Sequence, residues 1–374
     1  MNRQKNTYMI SGFATSQGTE DFSKKMGALI QNYKKFHDLT LSNMGIGTYL
    51  GNTDSQTDTL VTEAVRKSIL SGINVIDTAI NYRAQKAERA VGKAISDLIT
   101  QGKISRNQIF VSTKNGYVTN DGDVNEDFWA YIQREYAKPG IIKANDISSG
   151  YHCMTIPYLS DQLERSLKNL GLECIDLMYL HNSVEGQPDI TRDEFIKNLE
   201  NVFVFYEKMR KDGKIRFYGM ATWECYRVSK DNPNYLSLND TISLAKNIGG
   251  NEHGFRFIQL PFNLYYDQAL MQKNQVVDGT EMTLLDAAQK LGLGVFTSVP
   301  LMQGRLLSAG TVPEFGGIVQ SSLRCLQFVR STPGVLAPLV GQKSQSHVDQ
   351  NLQIMKIPPL SNTEFNDLVK KLVN

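Results

Sequence analysis

The chain has 374 residues, 41% of them hydrophobic and 21% charged, a composition typical of a globular protein with a sizeable core. Forty Lys and Arg residues against 38 Asp and Glu leave a net charge of +2, which gives no electrostatic reason to expect nucleic acid or an anionic membrane as the main partner. No segment is apolar enough for a signal peptide or a membrane span, so we expect a cytoplasmic protein.

The four cysteines are scattered, without a CxxC pair or the Cys/His spacing of a zinc site: Cys153, Cys174, Cys225 and Cys325. We expect free thiols in a reducing compartment. His152 lies beside Cys153, but two potential ligands do not make a metal site, and we predict none.

The first part of the chain predicts an N-terminal extension followed by alternating strands and helices. Residues 1–40 are polar with weak periodicity, and we expect them to pack on the body of the protein. A strand is predicted at 41–49. Apolar residues at helical spacing then predict a helix over 58–71, which Gly72 would end. The next predicted elements are a strand at 74–77, a helix at 86–98 and a strand at 109–113.

Residues 115–157 interrupt this alternation with a long stretch rich in Gly, Asp and aromatic residues. Connections of this length without secondary structure are uncommon in a compact domain unless they are functional. A domain boundary is possible here, but we favour an insertion because the alternation resumes afterwards in the same register.

The remainder of the chain completes a set of eight strands, each followed by a helix. The predicted strands are 175–180, 216–221, 257–260, 294–298 and 336–340, and the predicted helices are 159–170, 193–211, 239–248, 282–291, 321–330 and 347–355. Eight such units predict a closed (β/α)8 TIM barrel over 41–360. No G-x-G-x-x-G follows the first strand, which argues against a Rossmann domain. A capping box at Ser361–Glu364 predicts a C-terminal helix over 361–374.

Polar residues lie where the predicted strands end, which is where the active sites of such barrels are found. The strand-end residues are Asp77, Lys114, His181, Thr222, Gln259 and Ser298, and Tyr82 lies in the loop after the second strand. Each also has a structural explanation: Asp77 could cap a helix, Lys114 could extend to solvent, and His181 could be a hydrogen-bonded core residue. Their coincidence on one rim favours an active site.

Several segments resemble the aldo-keto reductase family in sequence and order. They are MGIGTY (44–49), NVIDTAINYR (74–83), ERAVGKAI (88–95), IFVSTK (109–114), LERSLKNLGLECIDLMYLHN (163–182), GKIRFYGMA (213–221), IQLPFN (258–263), PLMQGRL (300–306) and GQKSQSHVDQNL (341–352). The resemblance covers nearly all of residues 42–352. It implies a barrel enzyme that reduces a small carbonyl substrate, an aldehyde or ketone, with a nicotinamide cofactor, or runs the reverse oxidation.

The resemblance assigns catalytic roles to Asp77, Tyr82, Lys114 and His181, and the chemistry is consistent with them. Hydride must reach the carbonyl carbon and a proton its oxygen, and no side chain supplies hydride. Tyr82 would donate the proton. Lys114 would lower the phenol pKa from about 10. Asp77 would hold Lys114 charged, and His181 would orient the carbonyl oxygen.

The resemblance also implies a cofactor site, with NADP favoured and NAD possible. Gln259 and Thr222 would contact the nicotinamide carboxamide, the loop 300–305 would cross the pyrophosphate, and Lys343 and Ser344 at a helix start would meet the 2′-phosphate. The full predicted set is Asp77, Thr222, Gln259, Pro300, Leu301, Gln303, Gly304, Arg305, Gly341, Lys343, Ser344, His347, Gln350 and Asn351.

Some positions depart from the family pattern. Ala221 and Thr222 stand where Ser-Asn is common, and Ser298 replaces an aromatic residue that stacks on the nicotinamide. His347 replaces the usual phosphate-binding arginine, and Gln350 replaces a glutamate. A neutral imidazole is a poorer phosphate partner than a guanidinium, which weakens the NADP prediction.

The spacing from Tyr82 to Glu88 is two residues longer than in many members. Aromatic residues of the insertion could form a substrate pocket or lid, or the insertion could be an ornament or a subunit contact. Two other functions stay open: a regulatory or scaffold subunit that binds the cofactor with little turnover, and another barrel enzyme such as an isomerase. The pattern leaves the substrate, the reaction direction and the oligomeric state open.

Overall fold

The computed structural model describes residues 9–26, 29–308 and 312–373. Its first elements are helix α1 (Ser16–Met26) and an antiparallel hairpin of β1 (Tyr33–Phe36) and β2 (Leu39–Ser42), which pairs Tyr33 with Ser42. The expected boundary at residue 40 falls inside this hairpin.

Eight parallel strands then close into a barrel in the order β3-β4-β5-β6-β7-β8-β11-β12. The strands are β3 (Gly45–Gly47), β4 (Val75–Asp77), β5 (Phe110–Asn115), β6 (Ile175–His181), β7 (Ile215–Ala221), β8 (Phe255–Pro261), β11 (Gly294–Ser298) and β12 (Val335–Gly341), with a hairpin of β9 (Lys273–Val277) and β10 (Thr280–Thr283) outside the barrel. The predicted (β/α)8 fold is confirmed.

Helices follow the barrel strands and cover the barrel. They are α2 (Ser55–Leu70), α3 (Lys86–Thr100), α5 (Ile156–Leu170), α6 (Arg192–Lys211), α7 (Leu238–Gly249), α9 (Leu284–Lys290), α10 (Ser321–Ser331), α11 (Gln345–Leu352) and the C-terminal α12 (Asn362–Val373), with short helices α4 (Phe128–Ile132) and α8 (Gln268–Met271) in connecting segments. None of the described helices is both long and apolar enough to cross a membrane.

Local sequence signals explain where helices begin and end. The side chain of Asp54 caps α2 by accepting a hydrogen bond from the Thr57 N–H at 2.7 Å. Gly72 follows the end of this helix with a positive φ of 96°, as its predicted role requires. At the C-terminal helix, Ser361 and Glu364 exchange the reciprocal hydrogen bonds of the predicted capping box.

Two predicted elements were wrong. The strand predicted at 41–49 is divided, because the chain leaves the hairpin at Ser42 and enters the barrel at Gly45. The helix predicted at 282–291 starts at Leu284, because the two preceding residues belong to the β9–β10 hairpin. Asp278 and Gly279 form its turn with φ of 51° and 73°, and an Asp-Gly pair is a hairpin signal visible in the sequence.

The interior of the barrel is closed at the amino-terminal end of its strands. Leu39 and Leu41 of the hairpin join a buried cluster with the barrel residues Phe110 and Phe257. The ring of Phe36 meets that of Phe257 at 5.0 Å. The hairpin therefore fills the end of the barrel opposite to the rim that carries the predicted site.

The insertion between β5 and α5 has a small hydrophobic core of its own. Helix α4 continues into a π-helical turn over Gln133–Ala137. Tyr131, Tyr136, Ile142 and Tyr158 are buried together in this core. Tyr131 and Tyr136 are among the insertion aromatics that could have formed a lid or a substrate pocket. Both instead pack in this core.

A buried carboxylate attaches the N-terminal segment to the barrel. Asp176 of β6 accepts hydrogen bonds from the Ala14 N–H at 2.6 Å and the Val111 N–H at 2.8 Å. It also pairs with Arg106 at 2.8 Å, and both side chains are almost inaccessible to solvent.

Replacing Asp176 with Leu should lower the free energy of unfolding by about 3–5 kcal/mol, because it leaves the Arg106 charge buried without its partner. Urea denaturation measures this change. The control is Asp38→Asn, which breaks the pair of Arg216 with a carboxylate that is 53% exposed and should cost less than about 1 kcal/mol. Equal losses in the two variants would contradict the assigned role.

Candidate active site

The carboxyl ends of β4 and β5 bring an acid and a lysine into contact. Lys114 Nζ lies 2.5 Å from Asp77 Oδ2 and donates to the Thr78 carbonyl at 2.8 Å. Lys114 is fully buried. Burial lowers the pKa of its ammonium group, and the carboxylate of Asp77 opposes that shift. The strand ends thus create a buried ion pair from two of the predicted residues.

Two side chains inside the barrel hold the second oxygen of this carboxylate. Ser112 Oγ donates to Asp77 Oδ1 at 2.8 Å, and Gln259 Nε2 donates to the same oxygen at 3.0 Å. Our sequence reasoning missed Ser112, although its position two residues before Lys114 places both side chains on one face of β5. Gln259, predicted as a cofactor contact, also supports the ion pair.

The ring of Tyr82 lies over the ion pair. Lys114 Nζ is 4.8 Å from its centroid, and the His181 ring meets it edge-on at 5.8 Å. Burial, followed by the charge of Asp77, raises the pKa of the Tyr82 phenol well above its ordinary value. Burial and the Asp77 carboxylate thus act against the expected lowering of this pKa by Lys114. Tyr82 keeps its proton at neutral pH.

The backbone after Tyr82 is strained. Arg83, Ala84 and Gln85 have φ of 51°, 50° and 73°, three consecutive left-handed residues without a glycine. Such a conformation costs about 1–2 kcal/mol per residue. This turn lies within the segment between Tyr82 and Glu88.

His181 ends β6 as a buried, neutral imidazole. Burial and the nearby charge of Lys114 hold its pKa well below the ordinary value. Its Nδ1 is buried without a hydrogen-bond partner among the described residues. The carbonyl of His181 accepts a hydrogen bond from His152 Nε2 at 2.8 Å, while Gln187 Nε2 donates to His152 Nδ1 at 3.1 Å. The four predicted catalytic residues are thus brought together, and His152 of the insertion supports one of them.

Aromatic residues that sequence reasoning left without a role border these groups. Tyr49, which follows β3, meets the Tyr82 ring edge-on at 5.0 Å and is 55% exposed. Tyr117, at the start of the insertion, meets the His181 ring at 5.0 Å. Their position in the loops after barrel strands was the available signal.

The loop after β7 lies beside the predicted carboxamide contacts. The Thr222 N–H donates to the Gln259 carbonyl at 2.8 Å, which holds these two residues side by side. Trp223 follows, 37% exposed. Glu185 Oε1 accepts hydrogen bonds from three successive backbone N–H groups, the first from Trp223 at 3.1 Å. An aromatic residue thus directly follows the predicted carboxamide contact Thr222.

The predicted pyrophosphate loop turns sharply after β11. Pro300 is buried, and Leu301 is half-buried. Gln303 and Gly304 have positive φ of 54° and 91°, and they face solvent together with Arg305. Of this predicted set, three residues are therefore exposed at the barrel rim.

The last predicted segment joins β12 to α11. Ser344 caps the helix by accepting a hydrogen bond from the His347 N–H at 3.4 Å. Gly341, His347 and Gln350 are exposed, whereas Lys343 is half-buried. Asn351 is buried, and its amide donates to Gln342 Oε1 at 3.0 Å. The side-chain amide of Asn351 is thus already used in a hydrogen bond within the protein.

The described residues contain no group of three or more His, Cys, Asp or Glu side chains that could hold a metal ion. The four cysteines are buried and not bonded to one another.

A closed parallel barrel with Asp77, Tyr82, Lys114 and His181 on one rim is what the resemblance to the aldo-keto reductases predicted. The sequence comparisons agree with this class. The sequence model of the Aldo/keto reductase family matches residues 43–314. The chain belongs to this family. The match ends before β12, so the segment 341–351 lies beyond it.

The relatives include human aldo-keto reductase family 1 member C2, 29% identical over 59% of this chain, and the NADH-specific methylglyoxal reductase of Escherichia coli (strain K12), 28% identical over 49%. The chain spans about half the length of these two relatives, 50% and 49%. An uncharacterized oxidoreductase of Bacillus subtilis (strain 168), YqkF, is 23% identical over 88% of this chain and 92% of its own length.

Solved structures share the fold. An aldo/keto reductase from Klebsiella pneumoniae, in complex with NADP and acetate, superposes with a TM-score of 0.60 at 22% identity, covering 92% of this chain and 96% of the other. The holo form of aldo-keto reductase AKR11C1 from Bacillus halodurans has a TM-score of 0.60 at 20% identity, covering 91% and 96%.

Acid should destabilise the protein through His152, whose pKa burial lowers to about 4. The unfolded chain takes up this proton near pH 6.5, so the contribution is present above that pH and lost as the pH falls toward 4. Between pH 7 and pH 5 the loss should be about 2 kcal/mol. Urea denaturation at both pH values measures the loss of unfolding free energy between pH 7 and pH 5. In His152→Gln this loss should be smaller than in the wild-type protein by that amount. The exposed-site control His347→Gln should keep the wild-type loss, and an unchanged loss in His152→Gln would contradict the assignment.

Proposed function

We propose that the protein is an NADP(H)-dependent oxidoreductase that reduces an aldehyde or ketone to an alcohol, or catalyses the reverse reaction, with Tyr82 as the proton donor. The observation that carries this proposal is the buried Lys114–Asp77 pair beneath the Tyr82 ring, next to neutral His181. Family membership supports it.

The rim has space and chemistry that suit a dinucleotide. A side-chain carbon added at Gly304 or Gly341 would meet no atom within 4 Å, so both backbones are open to a close ligand. Ser344 caps the start of α11, where backbone N–H groups favour a phosphate, and Lys343 adds a positive charge. Gln259 and Thr222 would hold the carboxamide. The bound cofactor would supply the hydride.

The protein's own residues would deliver the proton and orient the carbonyl. Tyr82, with its raised pKa, would hold its proton and pass it to the carbonyl oxygen as charge develops there. The buried ammonium of Lys114 would stabilise the resulting phenolate, and Asp77 keeps that ammonium in place. A ring N–H of neutral His181 would donate to the carbonyl oxygen.

The choice between NADP and NAD depends on the segment after β12. The Klebsiella structure contains NADP, whereas the name of the Escherichia coli relative specifies NADH. Lys343 supplies a cation for a 2′-phosphate, and exposed His347 stands where the family commonly has arginine. We therefore favour NADP(H), with NAD(H) as the weaker cofactor.

Tyr82→Phe should lower kcat for carbonyl reduction about 10²–10⁴-fold, because it removes the transferable proton. The assay follows the loss of reduced-cofactor absorbance with a panel of aldehydes, and cofactor binding by fluorescence should persist. Tyr33→Phe is the control, because it removes a hydroxyl bonded to the Gly72 carbonyl at the opposite end of the barrel. Full activity of Tyr82→Phe would exclude the proton-donor role, and no turnover by the wild-type protein would favour a regulatory subunit.

Lys343→Ala should raise the Kd for NADPH roughly tenfold and leave that for NADH nearly unchanged, because only NADPH carries the 2′-phosphate. Fluorescence titration with each cofactor measures both constants. Lys356→Ala removes an exposed lysine beyond α11 and should change neither. A similar loss of affinity for both cofactors would rule out a 2′-phosphate contact.

A further inference from the structure

We propose that residues Asn120–Asp123 of the insertion form a brace that positions Tyr82 by holding the left-handed turn Arg83–Gln85. The inference rests on the proposed function, in which Tyr82 donates the proton. It gives the insertion a role in catalysis without contact between the brace and the substrate.

The brace binds the turn directly through hydrogen bonds. The Gly122 N–H donates to the Ala84 carbonyl at 2.9 Å, and Gln85 Nε2 donates to the Asn120 carbonyl at 3.0 Å. A side-chain carbon on Gly122 would come within 3.2 Å of the Arg83 carbonyl oxygen, so the two backbones pack closely. The brace thus contacts the three residues that carry the strain.

Ion pairs attach the brace to the start of α3. Arg89 makes a bidentate contact with Asp121, at 2.7 Å and 2.6 Å, and reaches Asp123 at 2.5 Å. Lys86 pairs with Asp123 and, at 2.8 Å, with Asp58 of α2. Planar, bidentate Arg–carboxylate pairs fix geometry as well as charge.

The other side of the turn is held by the loop before α2. Arg83 Nε donates to the Asn52 carbonyl at 2.7 Å, and its guanidinium pairs with Asp58. The Arg83 side chain is 1% exposed. Left-handed conformations at residues other than glycine persist only where surrounding contacts impose them. Contacts on two sides therefore hold the turn in this conformation. The brace provides the contacts on one of these sides.

The brace can be weakened without unfolding the insertion. The insertion's own core, which includes Tyr131, Tyr136 and Ile142, lies outside the brace. The antiparallel bridge between Tyr117 and His152 of the insertion also lies outside the brace. Asp121→Asn with Asp123→Asn removes the brace's charges and keeps the size of both side chains.

This double variant should lower kcat roughly ten- to a hundredfold, because a small misplacement of a reacting group is sufficient for such a loss. KM for the aldehyde, the Kd for NADPH and the thermal midpoint should change little. The matched control is Glu126→Gln with Glu135→Gln, which removes the same charge from pairs with Arg134 of the insertion and from the pair of Glu135 with Arg165 of α5, away from the brace. An equal fall of kcat in the control, or none in the brace variant, would overturn the proposal.

A double-mutant cycle with Tyr82→Phe separates positioning from general damage. In the Tyr82→Phe background the brace variant should cause no further fall of the residual rate, and an additive fall would overturn the proposal. Ala84→Asn, which tolerates the left-handed conformation better, should restore part of the lost kcat. Absence of rescue would also count against it. If Tyr82→Phe alone remained fully active, the proposed function itself would fail.

Discussion

The buried contact between Lys114 and Asp77 is the interaction on which the rest of the site depends. Removing two charges from water is costly, and their attraction compensates only when hydrogen bonds satisfy the remaining polar atoms. The barrel provides these bonds from Ser112, Gln259 and the Thr78 carbonyl. Ser112 lies on β5, Thr78 follows β4, and Gln259 reaches the pair from β8 on the other side of the barrel, so the pair depends on correct closure of the whole fold.

The two ends of the barrel serve different purposes. At the amino-terminal end, the hairpin and the Asp176–Arg106 pair seal the interior and attach the N-terminal segment. At the carboxyl end lie Tyr82 and the segment 341–351, which is proposed to bind the cofactor and has several exposed residues. This division follows from the parallel strands, because every strand ends on the same rim.

The insertion contacts the backbone next to two of the proposed catalytic residues on that rim. Its beginning holds the turn after Tyr82, and His152 near its end bonds the backbone of His181. Two side chains that would meet the carbonyl oxygen are thus supported from one segment. Fixed contacts of this kind suit that task, because proton transfer depends on distances between atoms.

The sequence by itself determined the barrel, the strand ends and the grouping of Asp77, Tyr82, Lys114 and His181, because strand periodicity and the family motifs are local patterns. Only the tertiary structure decided that the Tyr82 pKa rises, that Asn351 is partly committed internally and that the insertion packs on its own core. These properties depend on burial and on contacts between residues far apart in the chain, and no local pattern encodes them.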